Sequence, residues 1–163
     1  MAYQVAVCGP HDCSDVDAAR AREVGAMLAD AGAVVLCGGG AGVMAAVAAG
    51  ARSRGGLVVG IRPDDGRVGA SPDLSVTLKT NLGQARNAVI ISSADAVIAI
   101  GGSWGTLSEV AFAMRRGDIP VVSLGGWRIL NESGTPLPGP TIVDTPEEAV
   151  RLALGGASPQ RSR

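Results

Sequence analysis

Two glycine-rich stretches and two isolated charges are the residues best placed to do chemistry. The first stretch is Cys37-Gly38-Gly39-Gly40-Ala41-Gly42-Val43-Met44, and the second runs Ile100-Gly101-Gly102-Ser103-Trp104-Gly105-Thr106-Leu107-Ser108-Glu109. Each follows an apolar run and opens a helical pattern. Glycine lets the backbone approach an anion closely, and a helix N-terminus favours negative charge by about 0.3–1 kcal/mol. Two such turns in corresponding positions point to a phosphate-bearing ligand; tight helix–strand packing is the alternative for either turn alone. Neither is a Walker A loop, because no Gly-Lys-Ser/Thr follows. Gly40-x-Gly42-x-x-Ala45 fits a loose dinucleotide fingerprint, but it follows the second strand rather than the first. The next strand ends Gly60-Ile61-Arg62 without a ribose-binding acid. Asp64 and Asp65 just beyond keep NAD(P) as a third choice.

Between Thr80 and Met114 the only ionisable side chains are Arg86, Asp95 and Glu109. A stretch so poor in charge is expected to be buried, and buried charges are costly unless paired or used. Asp95 falls at a helix-to-strand junction and reads as structural. Arg86 lies among Ala85, Ala88, Val89 and Ile90. Glu109 stands in the first turns of the next helix, where Thr106-Leu107-Ser108-Glu109 also fits a capping box. Arg86 as an interface ion-pair partner is the corresponding structural reading.

The elements that must position these groups follow from composition and periodicity. The chain has 163 residues, 47% hydrophobic, 18% charged and 2% aromatic, with 24 Gly, and a mean hydropathy of +0.28. A core of Ala, Val, Ile and Leu with many Gly turns suits helices packed closely on a parallel sheet. Net charge is −1, so no basic surplus exists to grip nucleic acid, and aromatics are too few to stack single-stranded bases. Thirteen of the 14 basic residues are Arg, a bias that hints at a GC-rich bacterial genome. Lys79 is the only lysine, which leaves lysine chemistry one candidate, and no accompanying cofactor signature appears. Cys8, Cys13 and Cys37 are odd in number and lack C-x-x-C spacing; they read as reduced core residues. No metal site is expected. No apolar run approaches membrane-spanning length and no leader pattern is present, so a cytoplasmic protein is expected.

Strands are predicted at Tyr3–Cys8, Ala33–Cys37, Leu57–Ile61, Leu74–Leu78, Ala96–Ile100, Ile119–Leu124 and Thr141–Val143. Helices are predicted at Ser14–Ala31, Gly42–Arg54, Asn81–Ala94 and Trp104–Arg116, with a last one opened by Thr145-Pro146-Glu147-Glu148. Arg62–Asp73 and Asn131–Pro140 are loops, and Gly155–Arg163 reads as a disordered tail. The prediction is one domain over residues 1–154, an α/β fold with a Rossmann-like, doubly wound parallel sheet in a three-layer sandwich.

Taken together, these motifs resemble the LOG (lonely guy) family of nucleotide phosphoribohydrolases, a group that has also carried a lysine decarboxylase label. That family has a G-G-G-x-x-G-[LV]-M turn, here Gly38 to Met44, and an Arg in the helix before P-G-G-x-G-T-x-x-E, here Gly101 to Glu109. The resemblance spans about residues 3–125. It is nearer still to a small bacterial subgroup with Arg-Asn and G-G-x-x-G-T-L-S-E, here Arg86-Asn87 and Gly101–Glu109, which also looks like the molybdenum cofactor carrier proteins. Gly101 stands where the family motif has Pro, and Ser103 where it has a second Gly. The turn after the first strand is Gly9-Pro10-His11 rather than Ser-rich, and Asn87 replaces a commonly basic residue.

The resemblance implies hydrolysis of the N-glycosidic bond of a nucleoside 5′-monophosphate to free base and ribose 5-phosphate. Glu109 would engage the ribose hydroxyls and steady an oxocarbenium ion, and Arg86 would orient it. The ligand would lie against Gly38, Gly39, Gly40, Gly42, Met44, Asn87, Gly102, Ser103, Trp104, Gly105 and Thr106, with its phosphate on the backbone around Gly39–Gly40 and Gly102–Thr106. It also implies a homodimer or higher homo-oligomer, which suits the apolar helix Asn81–Ala94. The competing reading is a non-catalytic carrier of a phosphorylated ligand such as molybdenum cofactor. No other cofactor is expected. His11, the one histidine, falls near the expected site as a ligand contact or a loop residue. Trp104 and Trp127 could stack on a base or pterin, or simply pack.

Overall fold

The computed structural model describes residues 1–65 and 68–155. The expected tail, beyond Gly155, and two residues of the Arg62–Asp73 loop lie outside the described residues. Seven strands alternate with five helices. The strands are β1 Gln4–Cys8, β2 Val34–Cys37, β3 Val58–Arg62, β4 Val76–Lys79, β5 Ala96–Ile100, β6 Val121–Leu124 and β7 Thr141–Val143. The helices are α1 Asp15–Asp30, α2 Val43–Ser53, α3 Arg86–Ser92, α4 Trp104–Arg116 and α5 Pro146–Ala153. All strands run parallel in one sheet of order β4-β3-β2-β1-β5-β6-β7. The fold is a single-domain, Rossmann-like α/β sandwich.

The central strands are apolar throughout because helices cover both of their faces. Side chains alternate across β1: Val5 and Val7 join the core beneath α1, α2 and α5, while Ala6 and Cys8 join the core beneath α3 and α4. The glycine load has a packing reason. A Cβ at Gly25 would stand 2.2 Å from the Val47 carbonyl oxygen, and one at Gly50 would stand 2.0 Å from that of Arg22. Helices α1 and α2 therefore approach backbone to backbone. Asp95 has the structural role expected of it, accepting the Gln4 amide at 2.8 Å and fixing the start of β1.

The segment between β4 and β5 departs from expectation. Instead of one helix over Asn81–Ala94, a short 3-10 turn at Gly83–Ala85 leads into α3, which starts at Arg86. Residues 80–83 are held back onto the end of β3. The Thr80 hydroxyl donates to the Arg62 carbonyl at 2.7 Å, and the Gly83 amide to that of Pro63 at 3.0 Å. Asn81 takes the left-handed conformation, φ +54°. Those tertiary bonds outweigh the helical pattern of the first residues. Strand β4 also begins two residues later than predicted. Among the described residues no helix is long and apolar enough to cross a membrane.

Candidate functional site

The sheet order reverses at β1, whose neighbours are β2 and β5. In a doubly wound sheet the crevice opens beyond the carboxyl ends of the strands at such a point. A cleft of about 510 Å³, part of it open to solvent, lies there. β1 and the turn after it contribute Cys8, Gly9 and His11, and the first glycine turn contributes Gly38 and Met44. Gln84, Arg86 and Asn87 come from the start of α3, and Ser103, Gly105, Thr106 and Glu109 from the start of α4.

Arg86 and Glu109, 23 residues apart in the chain, meet in this cleft. Arg86 Nη1 stands 3.6 Å from Glu109 Oε1, with the two side chains 11% and 9% exposed. The same nitrogen donates to Asn87 Oδ1. Asn87 Nδ2 in turn donates to Ser108 Oγ at 2.8 Å, so α3 and α4 are joined beside the cleft. Arg86 Nε is buried without a hydrogen-bond partner. Burial lifts the Glu109 carboxyl from its ordinary 4.5 to about 7, against the opposing pull of Arg86 and of a hydrogen bond from the Cys8 thiol. The Cys8 thiol is itself pushed well above its usual range, first by burial and then by Glu109, so it stays a neutral donor.

Both glycine turns face this region, but differently from the simplest picture. The α4 N-terminus is capped by Ser103, whose hydroxyl accepts the Thr106 amide at 3.1 Å. Glu109 is therefore not the partner of a capping box; it projects one turn further on, into the cleft. At the first turn Gly42 is the N-cap of α2 with φ +63°, and the Val43 amide donates to the Pro10 carbonyl at 3.1 Å. A Cβ at Gly42 would stand 2.1 Å from the His11 carbonyl oxygen. That helix start is closed by the β1–α1 turn.

Gly39 and Gly40 are buried behind the cleft. The Gly39 carbonyl accepts from Arg62 Nη1 at 3.3 Å and from the Ser71 amide at 3.0 Å. Gly38 remains at the cleft wall, where a Cβ would stand 2.8 Å from Arg86 Nη2 and 2.7 Å from Met44 Sδ. Of the residues predicted for the site, the cleft thus gathers Gly38, Met44, Arg86, Asn87, Ser103, Gly105, Thr106 and Glu109. Gly39, Gly40, Gly42, Gly102 and Trp104 lie outside it. Trp104 is largely exposed and meets Trp127 edge-on, ring centres 5.1 Å apart.

Cys8 and Gln84 line the cleft without having been singled out for it. Cys8 is as buried as its apolar strand suggested; the signal for a second role was its place as the last residue of the central strand. Among the described residues no cluster of His, Cys, Asp and Glu could hold a metal ion.

The sequence pattern of the SLOG cluster4 family matches residues 2–150. An uncharacterised protein of Archaeoglobus fulgidus is 36% identical over 154 residues, covering 94% of this chain and 96% of its own length. The structure of the molybdenum cofactor binding protein from Rippkaea orientalis superposes with a TM-score of 0.83 at 31% identity, over 93% of this chain and 95% of that one. The molybdenum cofactor carrier protein from Chlamydomonas reinhardtii superposes with a TM-score of 0.73 at 31% identity, over 78% of this chain and 79% of that one.

Proposed function

The chain belongs to the SLOG cluster4 family, and from that premise we propose that it binds a phosphorylated small molecule at the Arg86–Glu109 cleft and carries it unaltered. The observation that bears most weight is the guanidinium of Arg86. It is buried at the head of a cleft, its Nε has no partner, and its acidic neighbour titrates near neutrality. An Arg–carboxylate pair whose acid is half protonated keeps a net positive charge, which an anionic group can neutralise. The α4 start beside it favours the same charge. The solved neighbours named for binding or carrying molybdenum cofactor support a pterin phosphate as the cargo. That ligand is cargo in this reading.

The test is calorimetric titration of the protein with neopterin monophosphate and with GMP. Saturable binding that falls tenfold or more in Arg86→Gln supports the reading. Absence of binding to any pterin phosphate or nucleotide overturns it. A single-stranded oligonucleotide is the negative control, since a chain of net charge −1 has no basic surplus to neutralise a polyanion.

A second reading, hydrolysis of a nucleoside 5′-monophosphate, rests on Glu109 as a buried carboxylate in the same cleft. Water would add at C1′ as the C–N bond breaks, and the base would leave with the bonding electrons and a proton. Free base released from AMP or GMP above a Glu109→Gln control would establish turnover and displace the carrier proposal. Self-association around α3 and α4, where Leu82, Phe112 and Met114 are exposed, is part of the same proposal; sedimentation at equilibrium measures it.

A further inference from the structure

A second cleft, of about 750 Å³, lies on the other side of the α4 N-terminus. It is enclosed by Leu107 and Val110 of α4, Ile142 of β7, and Trp127, Ile129 and Leu137 of the segment joining β6 to β7. That segment is folded into a definite wall. The Leu137 amide donates to the Ile129 carbonyl at 2.9 Å, and Asn131 Oδ1 accepts the amides of Ser133 and Thr135 at 3.1 and 2.9 Å, closing its tip. The indole of Trp127 lies directly on the second glycine turn, since a Cβ at Gly102 would stand 2.3 Å from Trp127 Cδ1. The glycine at 102 is what lets the ring close over the turn.

Ser103 and Thr106 line both this cleft and the Arg86–Glu109 cleft. The two spaces therefore adjoin at the first turn of α4, one half to each side of it. One half is the more polar of the two and holds the buried guanidinium of Arg86. The other is mainly apolar, walled partly by an indole, with Arg128, the buried Ser123 and the backbone of Gly101 and Gly126 as its polar groups beside the shared Ser103 and Thr106. An apolar slot with a few hydrogen-bonding groups at its base suits a flat ring system with polar edges better than an alkyl chain, which would leave those groups unpaired.

We infer that this second cleft receives the planar bicyclic heterocycle of the ligand whose phosphate sits at the α4 start beside Arg86, so that one molecule spans both halves. This rests on the reading above that the polar half binds a phosphorylated ligand. Trp127 and Gly102 then determine which ring systems the protein accepts.

The chain has two Trp residues, so Trp104→Phe leaves Trp127 as the lone indole reporter. In that background the fluorescence of Trp127 is followed during titration with GMP, guanosine and inorganic phosphate. GMP and guanosine are expected to quench it and phosphate to leave it unchanged. Ile142→Arg and, separately, Pro138→Phe obstruct the apolar half at half-exposed or loop positions. Each is expected to weaken GMP at least tenfold while phosphate affinity, read by calorimetry, is preserved.

If GMP binds both obstructed variants as it binds the parent and Arg86→Gln abolishes binding, the phosphate reading stands and this inference falls. If the obstructed variants change sedimentation rather than GMP affinity, the cleft is a contact between copies and the inference also falls. If the parent binds neither GMP nor phosphate, both readings fall together.

Discussion

The thiol of Cys8, the last residue of β1, shares the cleft with the carboxyl of Glu109 in the second turn of α4, and each acts on the other's ionisation. With Arg86 on its other side, the carboxyl is held between a neutral donor and a cation in a space that largely excludes water. Its protonation is the property most open to measurement.

Glu109 ionises near 7 in the folded chain against 4.5 ordinarily, chiefly because it is buried. The folded state thus holds this proton more tightly than the unfolded state does. Its contribution to stability is complete below about pH 4.5 and is lost as pH rises through about 7. The swing is on the order of 3 kcal/mol. Chemical denaturation at successive pH values should show the wild type losing stability across that window relative to Glu109→Gln, which has no proton to lose there. Affinity for an anionic ligand should decline over the same range.

Removing the Cys8 donor should push the Glu109 midpoint further up, since the thiol's hydrogen bond favours the charged carboxyl. The expected displacement for Cys8→Ala is about one pH unit, from the energy of a hydrogen bond to a charged group. Cys8→Ser restores a donor and should recover most of it. Carboxyl titration followed by NMR of the labelled glutamate measures both, and an unmoved midpoint in Cys8→Ala would contradict the bond's importance.

Two glycines in the first turn should respond oppositely to alanine. Gly42→Ala forces a side chain into a left-handed residue against the backbone of Pro10 and His11, which should destabilise the protein by about 2 kcal/mol or more. Gly38→Ala meets only the mobile ends of Met44 and Arg86. It should leave the melting temperature nearly unchanged while weakening phosphate binding, because the guanidinium is displaced. Thermal melts and titrations on the two variants separate these outcomes.

Ser103→Ala removes the acceptor for the Thr106 amide at the head of α4. Loss of such a cap costs about 1 kcal/mol. The urea midpoint should fall accordingly, and Ser103→Asp, which restores an acceptor, should regain the stability while repelling an anionic ligand.

Much of this architecture could be read from residue order. The alternation of apolar runs with helical stripes predicted all seven strands and the three layers, and β5, α4 and β7 match their predicted limits. The exceptions share a cause. The helix predicted from Asn81 starts at Arg86 because Thr80 and Gly83 bond to Arg62 and Pro63, some 18 to 20 residues earlier, and no local pattern encodes that. The isolation of Arg86 and Glu109 in a charge-poor stretch pointed to their burial, and the family resemblance implied that they meet at one site. That Pro10 and His11 close the start of α2, and that Arg62 secures Gly39, depends on contacts between distant segments. For the same reason the two glycine turns looked equivalent in sequence, yet only the second keeps its helix start at the cleft.

The central place of β1 also shapes how the molecule is made. Its two sheet partners are unequal in sequence distance: Val5 pairs with Val35 on one side and with Ala96 on the other. A nascent chain that has exposed only its first half therefore carries an apolar strand with one edge unpaired. Closing that edge requires a contact spanning 91 residues, the kind of long-range pairing that slows folding and prolongs exposure to aggregation. Cys8 and Glu109 can meet only after that late step, so an intact Arg86–Glu109 cleft reports a chain already made through the start of α4.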